Sequence, residues 1–233
     1  MRGVFISGTD TDVGKTFVSA LIARQLAEAG VRVGVYKPAC SGARVADGRL
    51  IWDDIETLAQ AARVDDRDRV CPQKFEAPLA PPVAARQAGG CVDWRRVQFG
   101  LTNWNEHADF VLVEGVGGLL CPLTESHSVA DFAIWSRLPV VIVARLGLGT
   151  INHTLLTLEA AESRGLEVEG VILNDVDNSA GSLAGKSNEV ELERLCGVPI
   201  LGVVPFGGRL LQLREHVDRE RISWLREVDH AMD

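Results

Sequence analysis

The sequence has no excess of basic charge. Its 233 residues carry 24 Lys and Arg against 32 Asp and Glu, a net charge of −8. That balance argues against broad nucleic-acid binding, which needs a basic face to neutralise phosphates. Paired cysteines are also missing. Cys40, Cys71, Cys91, Cys121 and Cys196 are odd in number and contain no CxxC, so neither a disulfide framework nor a zinc site is expected. No long apolar run occurs. The longest, around Leu138 to Ala144, ends at Arg145 and is too short to span a bilayer. No signal-peptide pattern opens the chain, because a strand pattern starts almost at once. No repeat or low-complexity linker appears. These absences lead to the expectation of a reduced, cytoplasmic protein with neither nucleic-acid nor membrane partners. What is present is ordinary for a globular chain, with 46% apolar and 24% charged residues. The length fits one large α/β domain over residues 1–233, with core enough to need no disulfide or structural metal.

Short apolar runs alternate with longer amphipathic stretches. Strands are expected at 4–8, 31–38, 109–115, 139–145, 169–175 and 199–205, and a helix closed by Gly30 at 15–30. Further helical patterns lie near 94–107, 128–136, 150–164 and 187–196. Alternation of this kind, with near-continuous apolar strands, predicts an α/β fold: a mostly parallel sheet with helices on both faces. Ligands of such sheets bind at the C-terminal ends of the strands, where Lys37, Glu114, Asn174 and Pro205 each follow an apolar run. The Pro-rich stretch 65–93 is expected to form a long functional loop with a short helix.

"GTDTDVGKT" (8–16) follows the first strand and opens the first helix, the context of a phosphate-binding loop. It has one residue more between Gly8 and Gly14 than the standard pattern, and so predicts a wider loop. Backbone N–H groups from Thr11 to Thr16 would cradle phosphates at a helix N-terminus. Lys15 would reach the terminal phosphates, and the Thr16 hydroxyl would ligate Mg²⁺. Asp10 and Asp12 are costly beside a triphosphate unless they point away or meet a cation, which suggests an amine-bearing substrate. Asp53 and Asp54 open "DDIETLAQAAR", where helix capping and Mg²⁺ ligation fit equally well. Glu114 ends an apolar strand and precedes Gly115-Val116-Gly117-Gly118, as a metal ligand beside backbone approaching phosphate would. In "YKPACSG" (36–42), Lys37 stands at a strand edge facing the phosphates, and Ser41-Gly42 adds a hydroxyl and a turn.

These motifs, with "VEGVGGLLCPL", "LPVVIVARLGLGTINHTLLT", "GVILNDV" and "LGVVPF", resemble those of the dethiobiotin synthetases, ATP-dependent carboxylases of biotin synthesis. They occur in the same order and cover residues 1 to about 206. The longer loop is itself that family's form. The resemblance implies a P-loop NTPase-like fold, ATP and Mg²⁺ as cofactors, and 7,8-diaminononanoate and CO₂ as substrates. The reaction would run through a carbamate and a carbamic-phosphoric anhydride to dethiobiotin, ADP and phosphate. Lys15 and Lys37 would be catalytic. Asp12, Val13, Gly14, Lys15, Thr16 and Phe17 would hold the nucleotide together with Asp54, Glu114, Gly115, Val116 and Gly117. Asn174, Asp175, Pro205, Phe206 and Gly207 would form the purine pocket. Thr16, Asp54 and Glu114 would bind the metal, and Thr11 and Ser41 the carbamate.

A homodimer is implied as well, in which Gly149, Thr150 and Asn152 receive the carboxylate of a substrate whose amines lie on the partner's P-loop. Glycines 147 and 149 before a helix starting near Thr150 suit such a carboxylate. Two departures from the family stand out: Asp12 replaces a common Glu, and Pro82 in "PLAPP" (78–82) stands where many relatives carry His. Beyond 207 the resemblance is weak, and "DRERISWLREVDHAM" predicts a C-terminal helix. Two other P-loop classes share this kind of fold. Amide-forming synthetases of the cobyrinic acid diamide type carry a glutaminase domain for which 233 residues leave no room. MinD/ParA-type switch ATPases place a signature Lys early in the loop, whereas residues 8–14 contain none.

Overall fold

The computed structural model describes residues 1–232. The chain begins with β1 (Gly3–Gly8), α1 (Lys15–Glu28), β2 (Val33–Tyr36), β3 (Cys40–Ser41), β4 (Arg44–Ala46), β5 (Arg49–Ile51) and α2 (Asp53–Ala62). It continues through α3 (Arg67–Val70), β6 (Lys74–Phe75), α4 (Pro81–Gln87), α5 (Trp94–Thr102), β7 (Phe110–Glu114), α6 (Val129–Ser136) and β8 (Val140–Arg145). The last part comprises α7 (Thr150–Ser163), β9 (Val168–Asn174), α8 (Leu183–Leu195), β10 (Ile200–Val204), β11 (Gln212–Leu213) and α9 (Ser223–Met232).

The six apolar runs become parallel strands of one seven-stranded sheet, ordered β11-β10-β9-β8-β1-β7-β2. Every residue of β1, β2 and β7 is buried, which is why these strands lack polar alternation. Only β11 is antiparallel, and it caps the β10 edge. The strand order fixes the layers. The crossover from β1 to β2 moves one way along the sheet; those into β7, β8, β9 and β10 move the other way. Right-handed crossovers then put α1 on one face and α5 to α8 on the opposite one. On the second face Phe132 of α6 meets Phe5 edge-on at 5.7 Å and Tyr36 at 6.2 Å. The connection after β1 and that after β8 leave in opposite directions from neighbouring strands, so a crevice opens at their C-terminal ends.

The first face would be only partly covered by α1 and α2. The C-terminal α9 completes it, burying Trp224 and Leu225. Glu227 ties it to the start of β1 through Arg2 at 2.8 and 3.0 Å. Glu169 on β9 accepts from the Ser223 backbone N–H at 2.9 Å and from its hydroxyl at 3.0 Å. Burial, aided by neighbouring Glu167, pushes the Glu169 carboxyl up to about 7 despite those two donors. The folded state therefore holds a proton that the unfolded state releases near the ordinary value of 4.5, so stability falls as pH rises through that window. Glu169→Gln is expected to remove this part of the slope. The variant should gain on wild type in melting temperature between about pH 4.5 and 7. A difference that does not change with pH would contradict the assignment.

Boundaries shift from the sequence expectation for local reasons. The second strand starts at Val33 rather than 31, because Gly30 turns at φ 90° and Arg32 is held by Asp109 at 2.9 and 2.5 Å. The helix expected near 187 starts at Leu183, because Ser182 caps it through the Gly185 N–H at 3.0 Å. The helical stretch 94–107 stops being α at Thr102 and tightens to a 3₁₀ turn over Asn103–Glu106. The segment 65–93 carries two helices and a strand rather than one helix in a loop, and β6 pairs with β3 beside the crevice. Among the described residues all five cysteines are free, and no helix is long and apolar enough to cross a membrane.

Candidate active site

The wide loop is shaped by two left-handed residues. Asp12 has φ 58° and Gly14 φ 86°, and this curls the chain before α1 begins with Val18 N–H on the Gly14 carbonyl at 3.0 Å. Asp10 turns its carboxylate back onto the Thr11 N–H at 2.7 Å. Both aspartates are exposed to solvent, so neither is buried against the anion cradle. The Lys15 ammonium folds onto the Asp10 carbonyl at 2.8 Å. Burial lowers the Lys15 pKa, with Glu114 pulling in the opposite direction.

Behind the loop lies a cluster of charges. Glu114, at the end of β7 and in register with Ile6 of β1, is fully buried. Its Oε1 accepts from the Thr16 hydroxyl at 2.8 Å and from the Lys37 ammonium at 2.6 Å. Its Oε2 has no hydrogen-bond partner among the described residues. Lys37, only 4% exposed, also pairs closely with Asp54 Oδ2. Burial alone would lower the Lys37 pKa, but Glu114 and Asp54 outweigh it, so the ammonium stays charged and the pKa is raised. Asp54 is held below the ordinary carboxylate range: its partial burial is overcome by Lys37. Of the two readings left open for Asp54, side-chain capping is absent. The residue before α2 is Trp52, no side chain caps that helix, and Asp53 instead pairs with Arg44 at 2.7 and 2.9 Å.

Lys15, Thr16, Lys37 and Asp54 face one cavity of about 790 Å³, within the ~300–1,000 Å³ of small-molecule sites; Glu114 is not part of its lining and meets it through Thr16 and Lys37. Thr11, Asp12, Gly14, Lys15, Thr16, Phe17, Lys37, Ser41, Asp54, Val116 and Gly117 line it. Sequence reasoning gave no role to Cys40 or Cys121, which also line it together with Asp53. Each sits beside a motif residue, and that adjacency was the available signal. Gly117, at φ 63°, packs so that an added Cβ would lie 2.9 Å from Cys121 Sγ. From 78–82 the wall receives Pro78, Leu79, Ala80 and Pro81, while Pro82 is buried in the first turn of α4 and does not line it. Thr16, Asp54 and Glu114 offer one hydroxyl and two carboxylates. All are hard oxygen donors of the kind Mg²⁺ prefers, and the unpartnered, buried Glu114 Oε2 leaves an acceptor for such a cation. The donor set fits Mg²⁺, although no cluster of three or more acidic, His or Cys ligands occurs among the described residues.

Other expected residues lie outside the cavity lining. Val13 is buried and Gly115 donates to the Ile6 carbonyl at 2.9 Å. Asn174 reaches the loop, donating to the Val13 carbonyl at 3.0 Å. Asp175 spends its carboxylate on the Ser179 and Ala180 N–H groups at 2.7 and 3.1 Å. Phe206 follows β10 with 56% of its surface exposed, and Pro205 and Gly207 (φ 63°) flank it. Gly149 takes φ 89° before α7, the buried Thr150 hydroxyl has no partner, and Asn152 is exposed.

A family model described as an AAA domain matches residues 2–212. The ATP-dependent dethiobiotin synthetase BioD of Bacillus subtilis (strain 168) is 42% identical over 212 residues, covering 88% of this chain and 87% of that protein. Its counterpart in Rhodopirellula baltica is 41% identical over 212 residues, covering 86% and 82%. In three dimensions the chain is similar to the septum site-determining protein MinD of Pyrococcus horikoshii complexed with Mg-ADP. The TM-score is 0.53 at 18% identity, over 98% of this chain and 95% of that one. The signal recognition particle receptor FtsY of Elizabethkingia anophelis gives 0.54 at 17%, with this chain spanning 65% of it. At such identities these two structures speak to the P-loop fold alone.

Proposed function

The chain belongs to the dethiobiotin synthetase family, and on that premise we propose that it makes dethiobiotin from 7,8-diaminononanoate, CO₂ and ATP, releasing ADP and phosphate. The observation that carries this reading is a second buried lysine, Lys37, sharing the cavity wall with the P-loop Lys15. The switch ATPases carry their extra lysine within the loop itself, whereas Lys37 follows β2 and shares the cavity with Ser41, a position suited to a second anionic reactant. One substrate amine takes up CO₂ and loses a proton to become a carbamate, held by Thr11 and Ser41. A carbamate oxygen attacks the γ-phosphorus and ADP leaves. The other amine then attacks the carbonyl carbon of the mixed anhydride, the ring closes and phosphate departs. Lys15 and Lys37 offset the negative charge that accumulates on the transferred phosphoryl group and the carbamate.

Thr16, Asp54 and Glu114 hold Mg²⁺, whose chemistry when bound is to neutralise phosphate charge. Residues Asp12 to Phe17, with Gly115, Val116 and Gly117, cradle the phosphates. Asn174, Asp175, Pro205, Phe206 and Gly207 receive the base, with Phe206 free to lie against it. The test is direct. Protein, Mg-ATP, bicarbonate and the diamine are combined, each is omitted in turn, and dethiobiotin is sought by mass spectrometry. No dethiobiotin in the complete mixture would sink the proposal.

The remaining substrate contact is assigned to a second subunit. Gly149, Thr150 and Asn152 lie apart from the cavity lining, at a helix N-terminus suited to a carboxylate, and the substrate carries its carboxylate far from its amines. In the proposed homodimer this loop binds the carboxylate of a substrate whose amines sit on the partner. Lys37→Ala and Asn152→Glu, each nearly inactive, are expected to regain activity when their subunits exchange. The heterodimer holds one intact site and one doubly damaged site, so activity should approach half of wild type per heterodimer. Demonstrated exchange with no recovery would disprove shared sites.

A further inference from the structure

The Lys37 ammonium occupies the oxygens that the metal site needs. It pairs with Asp54 Oδ2 and with Glu114 Oε1, and that same Glu114 oxygen accepts the Thr16 hydroxyl. One cation thus joins both carboxylates assigned to Mg²⁺, and the third ligand, Thr16, is tied to one of the same oxygens. The Lys37 backbone cannot follow its head group elsewhere, because its N–H is fixed on the Val70 carbonyl at 2.8 Å. The side chain alone can turn, and it borders the same cavity as Lys15 and Ser41. We infer that Lys37 serves as the internal counter-cation of the metal-free site, and that seating a divalent cation and freeing Lys37 into the cavity are one coupled exchange. The inference rests on the metal site described under the proposed function and deepens it.

The physical reason is competition and repulsion at short range. Two carboxylates drawn onto one point, Glu114 fully buried and Asp54 at the cavity wall, need a cation, which Lys37 supplies while no metal is present. A divalent ion on the same oxygens satisfies them better and repels an ammonium a few ångströms away. The four-carbon stem of Lys37 then carries its charge toward the anions of the cavity. The lysine is thereby withheld from phosphoryl transfer until the metal is in place. The unpartnered Glu114 Oε2 keeps one oxygen available to an incoming cation while Lys37 still holds the other.

The exchange predicts that Lys37 weakens metal binding. Mn²⁺, with its free fraction read by electron paramagnetic resonance, is titrated into nucleotide-free protein. Lys37→Met is expected to bind it at least about ten-fold more tightly than wild type. Equal or weaker binding would overturn the exchange. A second measurement needs no variant. Wild-type protein is acetylated with and without saturating Mg²⁺, and each lysine is followed by peptide mass spectrometry, with exposed Lys186 as the internal reference. Lys37 should be protected without metal and labelled several-fold faster with it; labelling that is unchanged or slower refutes the idea. Asp54→Asn separates the two levels of the account. If it weakens Mn²⁺ binding while Lys37→Met does not tighten it, the metal site stands and the exchange falls. If neither Asp54→Asn nor Glu114→Gln changes Mn²⁺ binding, the metal site itself is wrong.

Discussion

Replacing Lys37 with alanine is expected to lower turnover on the order of 100-fold or more, the loss typical of one preorganised electrostatic donor. The ATP dissociation constant should move far less, because the charge matters most where negative charge builds up during transfer. The ion-pair geometry adds a second consequence. Glu114 is fully buried and its Oε1 would lose the ammonium 2.6 Å away. Leaving such a carboxylate without its cation costs about 3 kcal/mol of stability. Turnover should therefore be measured well below the variant's melting temperature, with circular dichroism as the check on folding. A folded variant with unchanged turnover would leave Lys37 as a structural counter-ion with no part in the reaction.

Gly14→Ala should weaken ATP binding by at least about ten-fold, a loss of about 1.4 kcal/mol. Gly14 stands at φ 86°, a conformation that costs other L-residues about 1–2 kcal/mol. Its added Cβ would also lie 1.9 Å from the Asn174 amide nitrogen. That amide holds the Val13 carbonyl, so moving it away releases the loop from the end of β9. The strain and the collision can be separated. Asn174→Ala in the Gly14→Ala background removes the collision and leaves the φ strain. Calorimetry should find partial recovery at most, because the strain, the lost Val13 contact and the loss of the base contact assigned to Asn174 remain. Gly14→Ala protein that binds ATP like wild type would show that the loop tolerates a different curl, and the cradle assignment would need revision.

The parallel core was legible because its strands are nearly pure apolar runs, a pattern set by burial on both faces. Lys37 and Glu114 were legible because polar residues that close such runs have only the C-terminal edge of the sheet to occupy, and Thr16 because it follows the Gly-Lys of a phosphate loop at a helix start. Their partners were not. Nothing in the spacing of Lys37, Asp54 and Glu114 says that one ammonium joins both carboxylates, since that contact depends on how α2 packs against β2 and α1. Asp175 was similarly opaque. It stands in a strand-end motif, yet its carboxylate is taken up by two N–H groups of the following turn. The β4–β5 hairpin was missed although Asp47-Gly48 carries the dipeptide of a tight turn, with both residues at positive φ. The helices inside 65–93 were obscured by prolines that look like loop punctuation, although Pro81 and Pro82 occupy the first turn of α4, where proline is well tolerated.

The most direct test of the central claim is whether ATP cleavage is coupled to the diamine. Phosphate and dethiobiotin are quantified in the same reaction, with and without 7,8-diaminononanoate, at saturating Mg-ATP and bicarbonate. The account predicts one phosphate per dethiobiotin, and almost none when the diamine is left out. Phosphate released at the same rate without the diamine would contradict it.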